Sequence, residues 1–401
     1  NGKFEKASWK EVYEIIKSKF ENTKKEKICG VTGDLINMET LYIFKEFFNK
    51  TIGSHNIESR INHSYFNPEK RENYLFNSSI NGIEDSDFII LVGTNPRYEA
   101  TILNTRIRKA YLKNKTKIIS LTDVGDLTYP YSALNADTKT IKDIVEDKHE
   151  ISSLIINAKK PMIIFGQSVF KLKSAKFIFE SFKTFLINKS KISKEWNALN
   201  VISENASTVG SYDLGIYKTI DGSNEVLQHI EDNKFDIIYL LGQDNLKFDK
   251  KNEFIIYQGS HGDKGAEMAD IILPSAAYTE QNGYYTNLEG KLQKAYKASF
   301  PPEEAKEDWQ IINEIAEIMN HRKLFNDKEE LDSSLINQIN LFKEKNSSKH
   351  FSKFQNLEFN EEILKIISED YYYSNVIARA SKTMNECRRA KIDLKLTGTE
   401  G

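Results

Sequence analysis

Residues able to do chemistry stand at the ends of short apolar runs in this sequence. Gly30-Val31-Thr32-Gly33-Asp34 closes one run at a strand-to-helix turn, where backbone N–H groups and a helix dipole can cradle a phosphate. The turn has neither GxGxxG spacing nor a Walker lysine. Asp34, placed as the N-cap, would repel an anion, so a plain capped turn is expected. Gly93-Thr94-Asn95-Pro96-Arg97-Tyr98-Glu99 lies where a second run feeds a helix, the place where α/β proteins usually hold ligands. Its Arg97 and Glu99, with Arg106 and Arg108 farther along, suit either a ligand-facing loop or a charge network at a subunit contact. Gly166 ends a third run and Gly259 a fourth. His261 and Asp263, just before Glu267, are of types that exchange protons. No nucleophile stands near them, and the seven histidines show neither HxH nor HExxH spacing; a hydrogen-bonded loop is expected. Thr279, Glu280, Asn287 and Glu289 are expected to satisfy turn backbone. The two cysteines, Cys29 and Cys387, form no CxxC. An iron–sulfur cluster normally takes four thiolates, so this chain alone cannot hold one, and two unpaired structural thiols are expected.

The runs that carry these turns are short and β-branched, and longer amphipathic segments separate them. That is the grammar of α/β layers with mostly parallel strands. Ser8-Trp9-Lys10-Glu11 is a capping box, and Val12, Ile15, Ile16 and Phe20 follow at helical spacing. Strands are expected at 28–31, 88–92, 117–121, 161–165, 235–241 and 254–257, and helices at 35–48, 100–113 and 170–186. Two doubly wound halves result, residues 1–150 and 151–300. The second includes a return segment, 259–293, in which Pro274 stops the run Ile271-Ile272-Leu273. Residues 301–401 are expected as a helical and polar extension. It would hold an amphipathic helix at 309–319, a mobile polar stretch at 326–359, and helical segments at 361–367 and 376–389. The apolar faces around Phe44, Phe47 and Phe48 are expected in the core.

Composition excludes several classes. A net charge of −2 gives no long-range field for nucleic acid or an anionic membrane. Apolar residues at 39% and charged residues at 28% are globular proportions, and 401 residues allow two or three domains. Runs such as Phe88–Val92 fall far short of the roughly 20 residues that span a bilayer. The start, with Lys3, Glu5, Lys6, Lys10 and Glu11, is too polar for a secretory signal.

Three blocks resemble one family. Residues 259–293, GSHGDKGAEMADIILPSAAYTEQNGYYTNLEGKLQ, resemble the block AD-hydrophobic-LP-A…TE…G…N-EG-R-Q of the molybdopterin oxidoreductase superfamily. Residues 93–110, GTNPRYEATILNTRIRKA, are similar to GTNPR-[FY]-EA-x-x-x-N-x-RIRK of one branch, the largest iron–sulfur subunit of respiratory complex I. Residues 370–387, DYYYSNVIARASKTMNEC, resemble the tail FYMTD-x-I-x-RAS-x-TMA-x-C of its mitochondrial and α-proteobacterial members. The resemblance runs from Trp9 to Cys387.

It implies two Rossmann-like halves of the molybdopterin oxidoreductase type with a helical C-terminal extension. It further implies a scaffold in the peripheral, matrix-side arm of the proton-pumping NADH:ubiquinone oxidoreductase at the mitochondrial inner membrane, without catalysis by this chain alone. Cofactors are expected only in partner chains, as iron–sulfur clusters and FMN. Those partners would be a cluster-bearing amino-terminal portion, the flavoprotein subunits and the quinone-module subunits. Two departures set the chain apart from working molybdoenzymes. Asp123-Val124-Gly125 stands where those carry an Asp-Pro-Arg turn that holds the nucleotide end of the cofactor, and their covering barrel has no counterpart. The implied pocket is therefore vestigial, with Gly93, Asn95, Arg97, Glu99, Gly166, Gly259, His261, Glu280 and Asn287 as its candidate residues and no catalytic or metal-binding ones. Arg97, Arg106, Arg108, Tyr372, Arg379 and Met384 are the candidates for subunit contacts. Two other readings stay open: a fragment of a working molybdopterin oxidoreductase of formate dehydrogenase type, and a nucleotide-binding module built on the turns at 30–34 and 166.

Overall fold

The computed structural model describes residues 3–203, 205–346, 357–367 and 370–392. Among the described residues there are twelve strands: β1 (Ile28–Thr32), β2 (Ile57–Glu58), β3 (Phe88–Val92), β4 (Lys117–Ser120), β5 (Ser132–Ala133), β6 (Pro161–Phe165), β7 (Leu199–Val201), β8 (Ile237–Leu241), β9 (Phe254–Gly259), β10 (Ile271–Pro274), β11 (Gly283–Thr286) and β12 (Leu292–Ala295). One five-stranded parallel sheet has the order β10-β9-β8-β1-β2; a second has β5-β4-β3-β6-β7; β11 and β12 form an antiparallel hairpin. The central strands β1, β3, β6 and β8 are buried at every position. Parallel sheets covered on both faces demand such continuous apolar runs.

The α/β class holds, but the strands are not shared out at residue 150. β1 and β2 sit in one sheet with β8, β9 and β10, while β6 joins β3 across the expected boundary. The second lobe, β3 to β7, is inserted within the first. Strand–helix alternation identifies strands but not which ones become neighbours, because edge-to-edge pairing leaves no periodic mark.

Local signals explain most elements. The helix Trp9–Glu21 carries the complete Ser8/Glu11 capping box and buries Tyr13, Ile16 and Phe20. The helix Met38–Glu46 continues through a π-helical turn, Phe47–Ile52, and stops at Gly53. Its N-cap is Asn37, whose side chain accepts from Thr40 N–H, so Asp34 does not cap it. Phe44, Phe47 and Phe48 are fully buried around Tyr239. The helix Asp308–Asn320 buries Ile311, Ile312, Ile315 and Ala316 in the same core.

The extension departs from expectation in two places. A helix occupies Lys328–Asn346 and buries Leu331, Leu335 and Ile339, a stripe at four-residue spacing; residues 347–356 of the stretch expected to be mobile lie outside the described residues. The segment 361–367 is extended instead of helical, with Ile363 bridging to Asp137. The segment 376–389 is helical as expected, in two helices, Val376–Ala380 and Lys382–Ile392, separated at Ser381. No described helix is long and apolar enough to cross a membrane.

Candidate ligand crevices at the strand ends

Each sheet reverses its strand order once, between β1 and β8 in the first and between β3 and β6 in the second. Ligands of open α/β sheets bind beyond the carboxyl ends of the strands at such points. Both points are closed by glycine against glycine. Gly33 donates its N–H to Leu241 O at 2.8 Å, and a Cβ on it would lie 1.8 Å from Gly242 O. Gly166 donates to Val92 O at 3.0 Å, and a Cβ there would lie 2.4 Å from Gly93 O. Gly93 and Gly242 have φ of +62° and +57°, a region that favours glycine. The 30–34 turn is thus packed by backbone, and Gly30 sits flat against Phe44 and Phe48.

The 93–99 loop satisfies itself. Asn95 Oδ1 accepts from Arg97 N–H, and its Nδ2 donates to Val124 O. Glu99 accepts from Thr94 Oγ1 and Asn95 N–H at 2.8 Å each, and burial holds its carboxyl above the usual range. Arg97 pairs with Asp126 at 2.7 Å, Arg106 with Glu84, and Arg108 donates to Thr128 O. Each of these arginines is therefore engaged within the chain.

On the first sheet, His261 Nδ1 meets Ser260 Oγ at 2.9 Å, and its carbonyl accepts from Tyr257 OH. Glu280 accepts from Ala277 N–H, and Asn287 Oδ1 accepts from Glu289 N–H and Lys291 N–H. These residues fix turns, and the structure does not gather them into one site. A buried network that sequence reasoning missed lies beneath them. Gln258 Nε2 and Gln281 Nε2 donate to the carboxylate of Asp308, which opens its helix, and Tyr239 OH donates to Gln258. Burial pushes the Asp308 carboxyl up.

The C-terminal segment crosses both switch points. Its first part pairs along 136–138: Thr138 N–H donates to Glu362 O and Leu364 N–H to Ala136 O. Leu364 is 1% exposed, wedged near Gly93 and Val169, and Ile367 N–H reaches Ser168 Oγ. The second part lays Asn375, Val376 and Ile377 over the crevice between Gly242, Gly259 and Asp308. Arg379 clamps it there, bonding Asp263 through Nε, Asp244 through Nη2 and Tyr373 O through Nη1. Asp244 is raised to about 6, chiefly by burial, with Asp263 adding repulsion and Arg379 opposing the rise. Tyr372 lies under Lys391, which also covers Tyr98; Met384 is half-buried. Of the cysteines, Cys29 is buried and Cys387 exposed, both free; a core role fits only the first.

A further crevice lies between the lobes, a cavity of about 270 Å³ reached from the ends of β1, β2, β6 and β7. Ser64, Asn67, Ser203, Asn205 and Ser211 line it. None was singled out from the sequence, since serines and asparagines in loops carry no spacing signal.

The family model described as molybdopterin oxidoreductase matches residues 1–318, and a second, for the C-terminal part of the NADH-ubiquinone oxidoreductase G subunit, matches 337–387. The chain belongs to the molybdopterin oxidoreductase family. It is 33% identical over 413 residues to the NADH-ubiquinone oxidoreductase 75 kDa subunit of Reclinomonas americana, covering 96% of this chain and 59% of that one. It is 36% identical over 402 residues to the NADH-quinone oxidoreductase G subunit of Rickettsia bellii, covering 99% and 58%. The resemblance to the largest complex I subunit is thereby borne out. The chain spans a little over half the length of these curated relatives. Among solved structures, a chain of the formyltransferase/hydrolase complex of Methylorubrum extorquens superposes with a TM-score of 0.58 at 10% identity, over 80% of this chain and 98% of that one. Acetylene hydratase from Pelobacter acetylenicus gives 0.50 at 12%, over 86% and 64%. Both show the fold alone.

A pterin dinucleotide does not fit these residues. Its phosphates call for an open crevice lined by donors or cations. Here the C-terminal segment lies across both switch points, and the crevice left between the lobes, of about 270 Å³, presents the carboxylate of Asp34 and has its buried cation, Arg60, committed to Glu58. Asp244, Asp263 and Asp308 crowd one of them, and its arginine is already committed to two of these carboxylates. Among the described residues no group of three or more His, Cys, Asp or Glu could hold a metal.

Proposed function

We propose that this chain is a non-catalytic scaffold in the peripheral arm of a proton-pumping NADH:ubiquinone oxidoreductase. The observation that carries the reading is the C-terminal segment. The stretch 337–387, which matches the C-terminal family of the G subunit, includes the residues that lie across both strand-end crevices. A fold whose ligand crevices are covered by its own tail keeps rigidity and surface, and gives up the chemistry. Its contribution would be to hold a cluster-bearing portion and to exclude water from it, since burial tunes cluster potentials. In this reading iron–sulfur clusters and FMN belong to partner chains. Those partners include the cluster-bearing portion, the flavoprotein subunits and the quinone-module subunits, on the matrix side of the inner membrane or the bacterial cytoplasmic side.

Native-gel separation of the source membranes, with metal analysis of the isolated chain, tests this. Co-migration with NADH dehydrogenase activity, and neither iron nor molybdenum on the isolated chain, is expected. Migration apart from that activity, with molybdenum bound, would overturn the reading. Because Arg97 and Arg106 are paired within the chain, substitutions there should lower the chain's own stability before they alter assembly.

A further inference from the structure

We propose that the cluster-bearing portion docks on the free edge of the first sheet, by laying an extended strand in the groove between β10 and residues 3–7. The proposal rests on the scaffold reading above and names the surface that does the holding. β10 is the outermost strand of its sheet, paired on one side with β9. On the other side only its end is met: Lys306 N–H donates to Pro274 O at 3.4 Å, and Ala276 N–H to Lys306 O at 2.8 Å. Among the described residues no strand or bridge pairs with Ile271, Ile272 or Leu273 on that side. An unpaired edge is a template for another strand, and proteins usually blunt it with charge, proline or a cover. Here proline comes only at the end, after three apolar residues.

A groove of about 650 Å³ runs beside this edge. Residues 3–7 form its other wall, and the helix Trp9–Glu21 lends it Trp9, Val12 and Ile15. The 302–305 turn bounds it, tied to the wall through Trp9 Nε1, which donates to Glu304 O at 3.2 Å. Phe4 is 61% exposed, Ile15 46% and Ile272 37%. Single exposed apolar residues are ordinary, but three around one unpaired strand mark a contact surface. Residues 3–7 are themselves exposed throughout and belong to no helix or strand.

The complement of such a groove is an extended polypeptide. Its backbone would pair with β10, and its alternate side chains would cover Phe4 and Ile272. Two observations say whose polypeptide it is. The curated relatives are longer than this chain, which covers 59% and 58% of two of them. The match at 337–387 to the C-terminal part of the G subunit accounts for their far end, so the uncovered length lies chiefly ahead of the matched part. Polypeptide of that remainder reaches this fold on the side of residues 3–7, a wall of the groove. In addition, Asn1-Gly2 stands immediately before that wall in the sequence, and Asn-Gly is the dipeptide that best favours a two-residue turn between antiparallel strands. A strand joined through it runs back along residues 3–7 and into the groove.

Photo-crosslinking in the assembly purified from the source membranes tests this, with benzoylphenylalanine at position 272 and, as control, at position 220. Ile220 is 63% exposed and lies outside the groove. Position 272 should crosslink to the cluster-bearing portion, recognised by mass spectrometry from its cysteine-rich peptides, and position 220 should not. Crosslinks from 272 to another subunit, to a second copy of this chain or to nothing, in an intact assembly, would overturn the proposal. A wild-type chain that migrates apart from NADH dehydrogenase activity would instead overturn the scaffold reading, and the proposal with it. A lysine on an edge strand opposes pairing, so Ile272→Lys should leave the unfolding midpoint of the isolated chain unchanged. In the assembly it should speed hydrogen exchange of the 271–273 amides by about tenfold relative to wild type, while Ile220→Lys leaves it unchanged. Equal exchange in wild type and Ile272→Lys within the assembly would overturn the proposal as well.

Discussion

The two lobes bring the same device to the same place and finish it differently. At each switch point a glycine from one loop donates its N–H to the strand whose following glycine it presses against: Gly33 on Leu241 and Gly242, Gly166 on Val92 and Gly93. Over the second lobe the C-terminal segment closes the crevice with an apolar residue, Leu364, and backbone hydrogen bonds. Over the first it closes with an ionic clamp, Arg379 between Asp244 and Asp263. An apolar plug gains from burial at any pH, whereas a clamp of two carboxylates and one guanidinium gains only while its charges balance. The lobes therefore answer differently to the same perturbation.

The strongest way to break the parallel is at the glycines. Gly33→Ala sets a methyl 1.8 Å from a backbone oxygen, which no rotamer relieves, and should cost about 3 kcal/mol or more in urea unfolding. Gly166→Ala, with 2.4 Å to Gly93 O, should cost somewhat less. Gly262, with nothing within 4 Å, is the control and should change by less than about 0.5 kcal/mol on conversion to alanine. Equal tolerance of all three would mean the loops are not pressed together. The covers come next. Leu364→Ala removes a fully buried side chain, worth about 3 kcal/mol. Because a terminal segment opens locally, the loss should appear first as faster hydrogen exchange at 360–367. Arg379→Ala should cost less, about 2 kcal/mol, since its pairs are only partly buried, and should loosen 370–380 while leaving 360–367 protected. Coupled release of both parts would show that the covers form a single unit.

Much of this arrangement was legible and some was not, for physical reasons. The Ser8/Glu11 box, the fully apolar strands and the Phe44–Phe48 core follow from short-range patterns, and they stand as expected. The insertion of one lobe in the other is a long-range fact that no window of sequence carries. Leu331, Leu335 and Ile339 did mark a helix, but Lys, Asn and Ser on its other faces masked the stripe. The 361–367 segment has helix-compatible residues, yet pairing with 136–138 offers its backbone partners that a short isolated helix lacks. The arginines were found, but not their partners: Asp126 lies 29 residues from Arg97 and Glu84 lies 22 from Arg106. Asn37 displaced Asp34 as the cap because the turn extends three residues further than the glycine pair suggests.

The smallest effect, and the one that most sharpens the contrast, is the pH response of the clamp. Asp244 titrates near 6 in the fold against an ordinary 3.8, with burial as the main cause. The folded chain thus holds a proton that the unfolded chain releases earlier. This contribution to stability is fully present below about pH 4 and is lost as pH rises through about 6, with a slope of up to about 1.4 kcal/mol per pH unit. The plug over the second lobe has no such group at Leu364. Asp244→Asn should therefore flatten the dependence of the unfolding midpoint between about pH 4 and 6, measured against wild type. Arg379→Ala should extend the window upward, because the guanidinium that opposes the rise is gone while Asp263 remains. Superimposable curves for wild type and Asp244→Asn would show that the clamp closes without the buried carboxylate, and the two covers would then be alike in kind.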